Sequence, residues 1–94
     1  MPSMTEHTVV IGVDTHKNTH TLAVVTAATG AHTQLFSITA DPAGYEQALT
    51  NVSSCPDRLW AIEGCGSWGR GLYRWLAARD EHVIEIERPR RPPR

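Results

Sequence analysis

The chain has 94 residues, 40% of them hydrophobic and 20% charged, with a net charge of −1. That length holds one small domain, and the composition is that of a globular chain rather than a disordered one. No apolar run approaches the roughly 20 residues of a membrane span, no charged-then-apolar leader opens the chain, and two cysteines cannot build a disulfide scaffold. The expectation is a cytoplasmic protein with reduced thiols and no membrane association.

The small net charge hides an asymmetry. Residues 1–57 carry Lys17 against Glu6, Asp14, Asp41, Glu46 and Asp57, a balance of −4. Residues 58–94 carry eight arginines against five acids, a balance of +3. Arg88, Arg90, Arg91 and Arg94 crowd the last seven residues with Pro89, Pro92 and Pro93. The domain is thus expected over 8–87, between a loose N-terminus at 1–7 and an Arg/Pro-rich tail at 88–94.

The β-branched run Thr8–Val13 predicts a first strand buried on both faces, with Asp14 at its carboxyl end. Thr15–Asn18 has turn character, and Thr19–Thr26 reads as a second strand with Leu22 and Val24 on one face. After a turn at Ala28-Thr29-Gly30, Thr33–Thr39 alternates Leu35 against Phe36 and Ile38 as a third strand. Tight connections make these three an antiparallel meander.

Asp41-Pro42 predicts a helix start, since Asp41 accepts from free amides and Pro42 needs no donor there. Tyr45, Ala48, Leu49 and Val52 then give one apolar face. Leu59–Ile62 is a fourth strand ending at Glu63, followed by the turn Gly64-Cys65-Gly66-Ser67, with Ser67 as a helix cap. Trp68, Leu72, Trp75 and Leu76 are expected on the core side of a second helix, and Arg70 and Arg74 on its outer side. Asp80-Glu81 stands where a glycine would conveniently end that helix. Val83–Ile86 is a fifth strand.

The order β-β-β-α-β-α-β implies an α/β fold with a mixed sheet of RNase H-like arrangement. Right-handed crossovers would set strands four and five beside strand one and parallel to it. Asp14 and Glu63 would then share one sheet edge, on strands about 4.8 Å apart. Two carboxylates at about 4 Å repel by roughly 4 kcal/mol at an effective dielectric near 20. A shared proton or a cation relieves that repulsion, and hard oxygens suit Mg²⁺ or Mn²⁺ in phosphodiester cleavage. The plainer reading has Asp14 capping a turn and Glu63 pairing with Lys17 or Arg70.

Three blocks carry a resemblance: Val10-Ile11-Gly12-Val13-Asp14-Thr15-His16-Lys17, Ala61-Ile62-Glu63-Gly64-Cys65-Gly66-Ser67-Trp68-Gly69 and Val83-Ile84-Glu85-Ile86-Glu87-Arg88-Pro89. Over nearly all of 8–90 the chain resembles the opening RuvC-like domain of insertion-sequence-110 family transposases, which are DEDD recombinases. The resemblance implies Asp14 and Glu63 as the first two acids of a metal-binding tetrad. It further implies DNA strand exchange at an insertion site, guided by a structured RNA, in a homo-oligomer of the full-length protein. The family's third and fourth acids lie on a helix beyond an arginine-rich connector, and this chain stops within that connector at Arg94. The expectation is therefore a truncated domain without its C-terminal helices, binding metal weakly or not at all and inactive alone.

Other candidates have two readings each. Lys17 either touches a phosphate or offsets nearby negative charge. Arg88, Arg90, Arg91 and Arg94 either contact nucleic acid or form a solvated terminus. His16 and His20 straddle a turn and are expected to be exposed; with Cys55 and Cys65 they match no standard zinc spacing. Trp60, Trp68 and Trp75 are expected in the core. Two other functions compete with the transposase fragment: a non-catalytic remnant that binds nucleic acid or a full-length partner, and an ATP phosphotransferase of actin or sugar-kinase type. The latter needs a glycine-rich phosphate hairpin, and Thr15-His16-Lys17-Asn18 has no glycine.

Overall fold

The computed structural model describes residues 9–86. The segments 1–7 and 88–94, with Arg88, Arg90, Arg91 and Arg94, lie outside them. The elements are β1 (Val9–Thr15), β2 (Thr19–Thr26), β3 (His32–Thr39), α1 (Pro42–Asn51), β4 (Arg58–Glu63), α2 (Arg70–Ala77) and β5 (Val83–Ile86). The five strands form one mixed sheet in the order β3-β2-β1-β4-β5. β1, β2 and β3 pair antiparallel; β4 pairs parallel to β1 and β5 parallel to β4.

Both helices lie on one side of this sheet. Tyr45, Ala48 and Val52 from α1, with Leu72 and Leu76 from α2, form one buried cluster with strand residues. The strands contribute Ile11, Val13, Leu22, Val24, Ile38, Trp60 and Ile62. These alternate along each strand with residues of the opposite face, as the period of two requires. The expectation of a first strand buried on both faces is therefore corrected: in β1 only Ile11, Val13 and Thr15 are buried. A second layer is present on one side only among the described residues, and Val10, Gly12 and Asp14 face away from it.

α1 starts as its sequence predicts. The Asp41 carboxylate accepts hydrogen bonds from the Gly44 amide and the Thr39 hydroxyl, both at 2.8 Å, and Pro42 occupies the first turn. Those two bonds hold the exposed Asp41 carboxyl below its ordinary pKa of 3.8. α2 differs from expectation. It begins at Arg70 with Gly69 as its N-cap and no side-chain cap, so Ser67 does not cap it. Trp68 therefore belongs to the preceding turn and is 52% exposed, not part of the core stripe. The helix ends without a glycine because Asp80 itself adopts a left-handed conformation, with φ of 59°.

Arg58 and Glu81 tie the start of β4 to the segment before β5. Arg58 Nε and Nη2 donate to the two Glu81 carboxylate oxygens at 2.8 and 3.0 Å. The indole N–H of fully buried Trp60 donates to the same carboxylate at 2.9 Å. The Arg58 hydrogen bond is the main cause of a Glu81 pKa below its ordinary 4.5.

Candidate functional site

Parallel pairing of β1 with β4 sets the geometry at the carboxyl rim of the sheet. Val13 stands opposite Ile62, so Asp14 and Glu63 are each the next residue along adjacent parallel strands. Val13 and Ile62 both point into the helical layer, which sends Asp14 and Glu63 together to the open face. Asp14 lies within β1 rather than after it, because the strand continues to Thr15. Its side chain is 58% exposed, whereas Glu63 is half-buried.

A local clamp holds the two strand ends together. The buried Thr15 donates its hydroxyl proton to the Glu63 carbonyl oxygen at 3.0 Å. Gly64 follows with φ of 67°, a left-handed conformation that glycine adopts at no steric cost. The chain then turns back, and the Ser67 and Gly69 amides both donate to the Gly64 carbonyl at 2.9 Å. A β-carbon on Gly69 would meet the Glu63 carbonyl oxygen at 2.7 Å and the Ile62 methyl at 2.9 Å, so this approach requires glycine. The glycines after Glu63 thus fix where β4 ends.

On the β1 side, the Asp14 carboxylate lies 4.0 Å from His16 Nε2. Both groups are exposed, and the contact is ionic only when the imidazole is protonated. Lys17 is exposed in the turn between β1 and β2. His20 departs from expectation, being wholly buried beneath α1 rather than exposed. Its ring stacks on Tyr45, with centroids 6.4 Å apart and planes 3° from parallel. Its Nδ1 accepts from the His16 amide at 3.4 Å, while the buried Nε2 has no partner among the described residues. Burial pushes the His20 pKa below 6.5, and His16 adds to that effect. The signal for this burial is visible in the strand, since His20, Leu22 and Val24 share one phase of the alternation.

Hard carboxylate oxygens on one open rim are the donor chemistry that Mg²⁺ and Mn²⁺ take, completed by water or substrate phosphate. Asp14 and Glu63 carry carboxylates of this kind at neighbouring positions. Among the described residues no group of three or more His, Cys, Asp or Glu side chains gathers around a common point. Cys55 and Cys65 are free thiols. Among the same residues, no helix is long and apolar enough to cross a membrane. Compared with known proteins, the chain matches no family model and no curated sequence.

Proposed function

We propose that this chain is the RuvC-like, RNase H-type opening domain of a DEDD transposase of the insertion-sequence-110 kind. In this reading it contributes Asp14 and Glu63 to a divalent-metal site for DNA cleavage and strand exchange. The observation that carries the reading is the registered parallel pairing of β1 and β4, which puts both acids at neighbouring positions on one open rim. The Thr15 hydroxyl and Gly64 support them by holding the two strand ends in register.

A bound Mg²⁺ or Mn²⁺ would supply Lewis-acid stabilisation of the charge that develops on phosphate oxygens. Asp14 and Glu63 would hold it, and the exposed rim leaves room for a DNA strand to approach. Lys17, exposed in the turn after β1, would meet that strand's phosphates. Oligomerisation, a structured guide RNA and the remaining two acids belong to the same proposal, carried by the resemblance alone.

The test is a thermal-unfolding titration with Mg²⁺ and with Mn²⁺. A ligand that binds only the folded state raises the midpoint in proportion to the logarithm of its concentration. The wild type is expected to gain stability and Asp14→Asn to gain none. An equal rise in both proteins, or no rise in either, defeats the metal reading. A second reading, nucleic-acid binding without catalysis, draws support from the described residues, among which no third acid gathers with these two. Metal-independent DNA binding by Asp14→Asn equal to that of the wild type would favour it.

A further inference from the structure

A second concavity lies on the helical side of the sheet, away from Asp14 and Glu63. The 64–69 turn, α2 and β5 border an open, shallow cleft of about 420 Å³ lined by Cys65, Gly66, Arg70, Tyr73, Arg74 and Glu85. Glu85 reaches it because β5 pairs Glu85 with Ile62, whose side chain also points into the helical layer. Arg70 and Arg74 are four residues apart on α2, which puts their β-carbons about 5–6 Å from each other on one helical face.

The hydrogen-bonding capacity of this cleft is unbalanced. Arg70 makes one long contact, from Nη2 to the Gly66 carbonyl at 3.4 Å. The Arg74 guanidinium and the Tyr73 hydroxyl have no side-chain partner among the described residues, and Glu85 forms no ion pair there. Each guanidinium carries five donors and no acceptor. Burial, with Glu85 nearby, pushes the Cys65 thiol above its ordinary pKa of 9.0, so it is neutral. Two cations thus face one carboxylate, leaving a positive remainder and a surplus of donors around an open volume.

We propose that this cleft binds a phosphate group, with Arg70 and Arg74 donating to its oxygens and the Tyr73 hydroxyl adding a third hydrogen bond. Guanidinium pairs suit this role because their planar donors match phosphate oxygens two at a time. Glu85 on the facing wall opposes the anion and tunes the affinity downward. The site is independent of the metal reading, since it uses none of the rim residues and lies on the other face of the sheet.

Heteronuclear NMR of the full chain tests this through the backbone amide resonances of Gly66, Tyr73 and Glu85, which line the cleft and remain when both arginines are replaced. Inorganic phosphate and a thymidine 15-mer are titrated separately, so that a free anion is distinguished from a phosphodiester strand. Saturable shifts with either probe support the proposal, provided that they vanish in Arg70→Gln/Arg74→Gln. In that variant, whose substitutions are both on exposed positions, affinity should fall by about tenfold or more. Glu85→Gln should tighten binding by about threefold at low salt, where the repulsion is least screened. Asp14→Asn should bind phosphate as the wild type does. Absence of shifts with both probes, or shifts that persist in the double variant, overturns the proposal.

Discussion

Two neighbouring rows of side chains across the sheet differ in size. On the helical side, Phe36, Leu22, Val13, Ile62 and Glu85 stand in register across all five strands. One residue away on the other face, the row is Leu35, Ala23, Gly12, Ala61 and Ile84. The first row has large apolar residues at its centre, where two helices cover it. The second is small at its centre and large at its ends, and Leu35 and Ile84 are 72% and 41% exposed. The same five strands therefore divide two tasks. Cohesion comes from the covered face, and the open face carries the acidic rim with little packing of its own.

The most direct way to break this comparison is a matched pair of truncations. Leu76→Ala removes a side chain with no exposure from the centre of the helical layer. It should cost about 2–5 kcal/mol, from lost transfer energy and an unfilled cavity. Leu35→Ala, on the open face, should change stability by less than about 0.5 kcal/mol. Urea unfolding of both variants decides the matter, and comparable losses would mean that the open face is packed after all.

The next effect concerns the half-buried ion pair of Arg58 with Glu81. Glu81→Gln leaves Arg58, whose side chain is only 18% exposed, without its countercharge. A cost of about 2–3 kcal/mol is expected, because an uncompensated charge remains in a largely dry site. Because the Glu81 pKa is lowered in the fold, its contribution is complete above the unfolded value near 4.5 and disappears as pH falls through the folded value. Stability against pH should therefore drop steeply in that acid range for the wild type and more gently for Glu81→Gln.

A smaller pH effect should appear nearer neutrality. His20 is buried with a lowered pKa, so the unfolded chain takes up its proton first. Stability should fall as pH drops below 6.5, until the folded histidine also titrates. His20→Phe keeps the ring against Tyr45 and should remove that slope. A slope that survives the substitution would assign it to another group.

How much of this was readable beforehand varied with how local the cause was. The bounds of β2 and β5 and the start of α1 follow from alternation, a β-branched run and the Asp41-Pro42 cap, all contained in a few residues. The neighbouring positions of Asp14 and Glu63 at one rim were also readable, because they need only strand order and direction. Trp68 was misplaced because helical spacing extends its stripe two residues beyond the real start of α2, where Gly66 and Gly69 already break the helix. Arg58 with Glu81 was missed for a different reason. The pair spans 23 residues and depends on how β4 and the loop before β5 come together. Burial of His20 was encoded in strand phase, but its polar ring argued against a core position.

The smallest predicted effect sharpens what holds the helical layer in place. Asp80 sits at φ of 59°, where an L residue pays for contact between its β-carbon and the backbone. The surrounding bonds keep it there: its amide donates to the Ala77 carbonyl at 3.1 Å, and the Glu81 amide donates to that of Leu76 at 3.1 Å. This turn aims Glu81 at Arg58 and Trp60, so the strained residue supports the ion pair rather than the rim. Asp80→Gly removes the steric strain but increases the freedom of the unfolded chain, and a net gain of about 0.5 kcal/mol is expected. Asp80→Val, with a branched β-carbon at the same backbone angle, should instead lose about 1–2 kcal/mol. Opposite signs for the two variants in one urea series would locate the strain in the backbone of this turn. Matching losses would place it in the aspartate side chain.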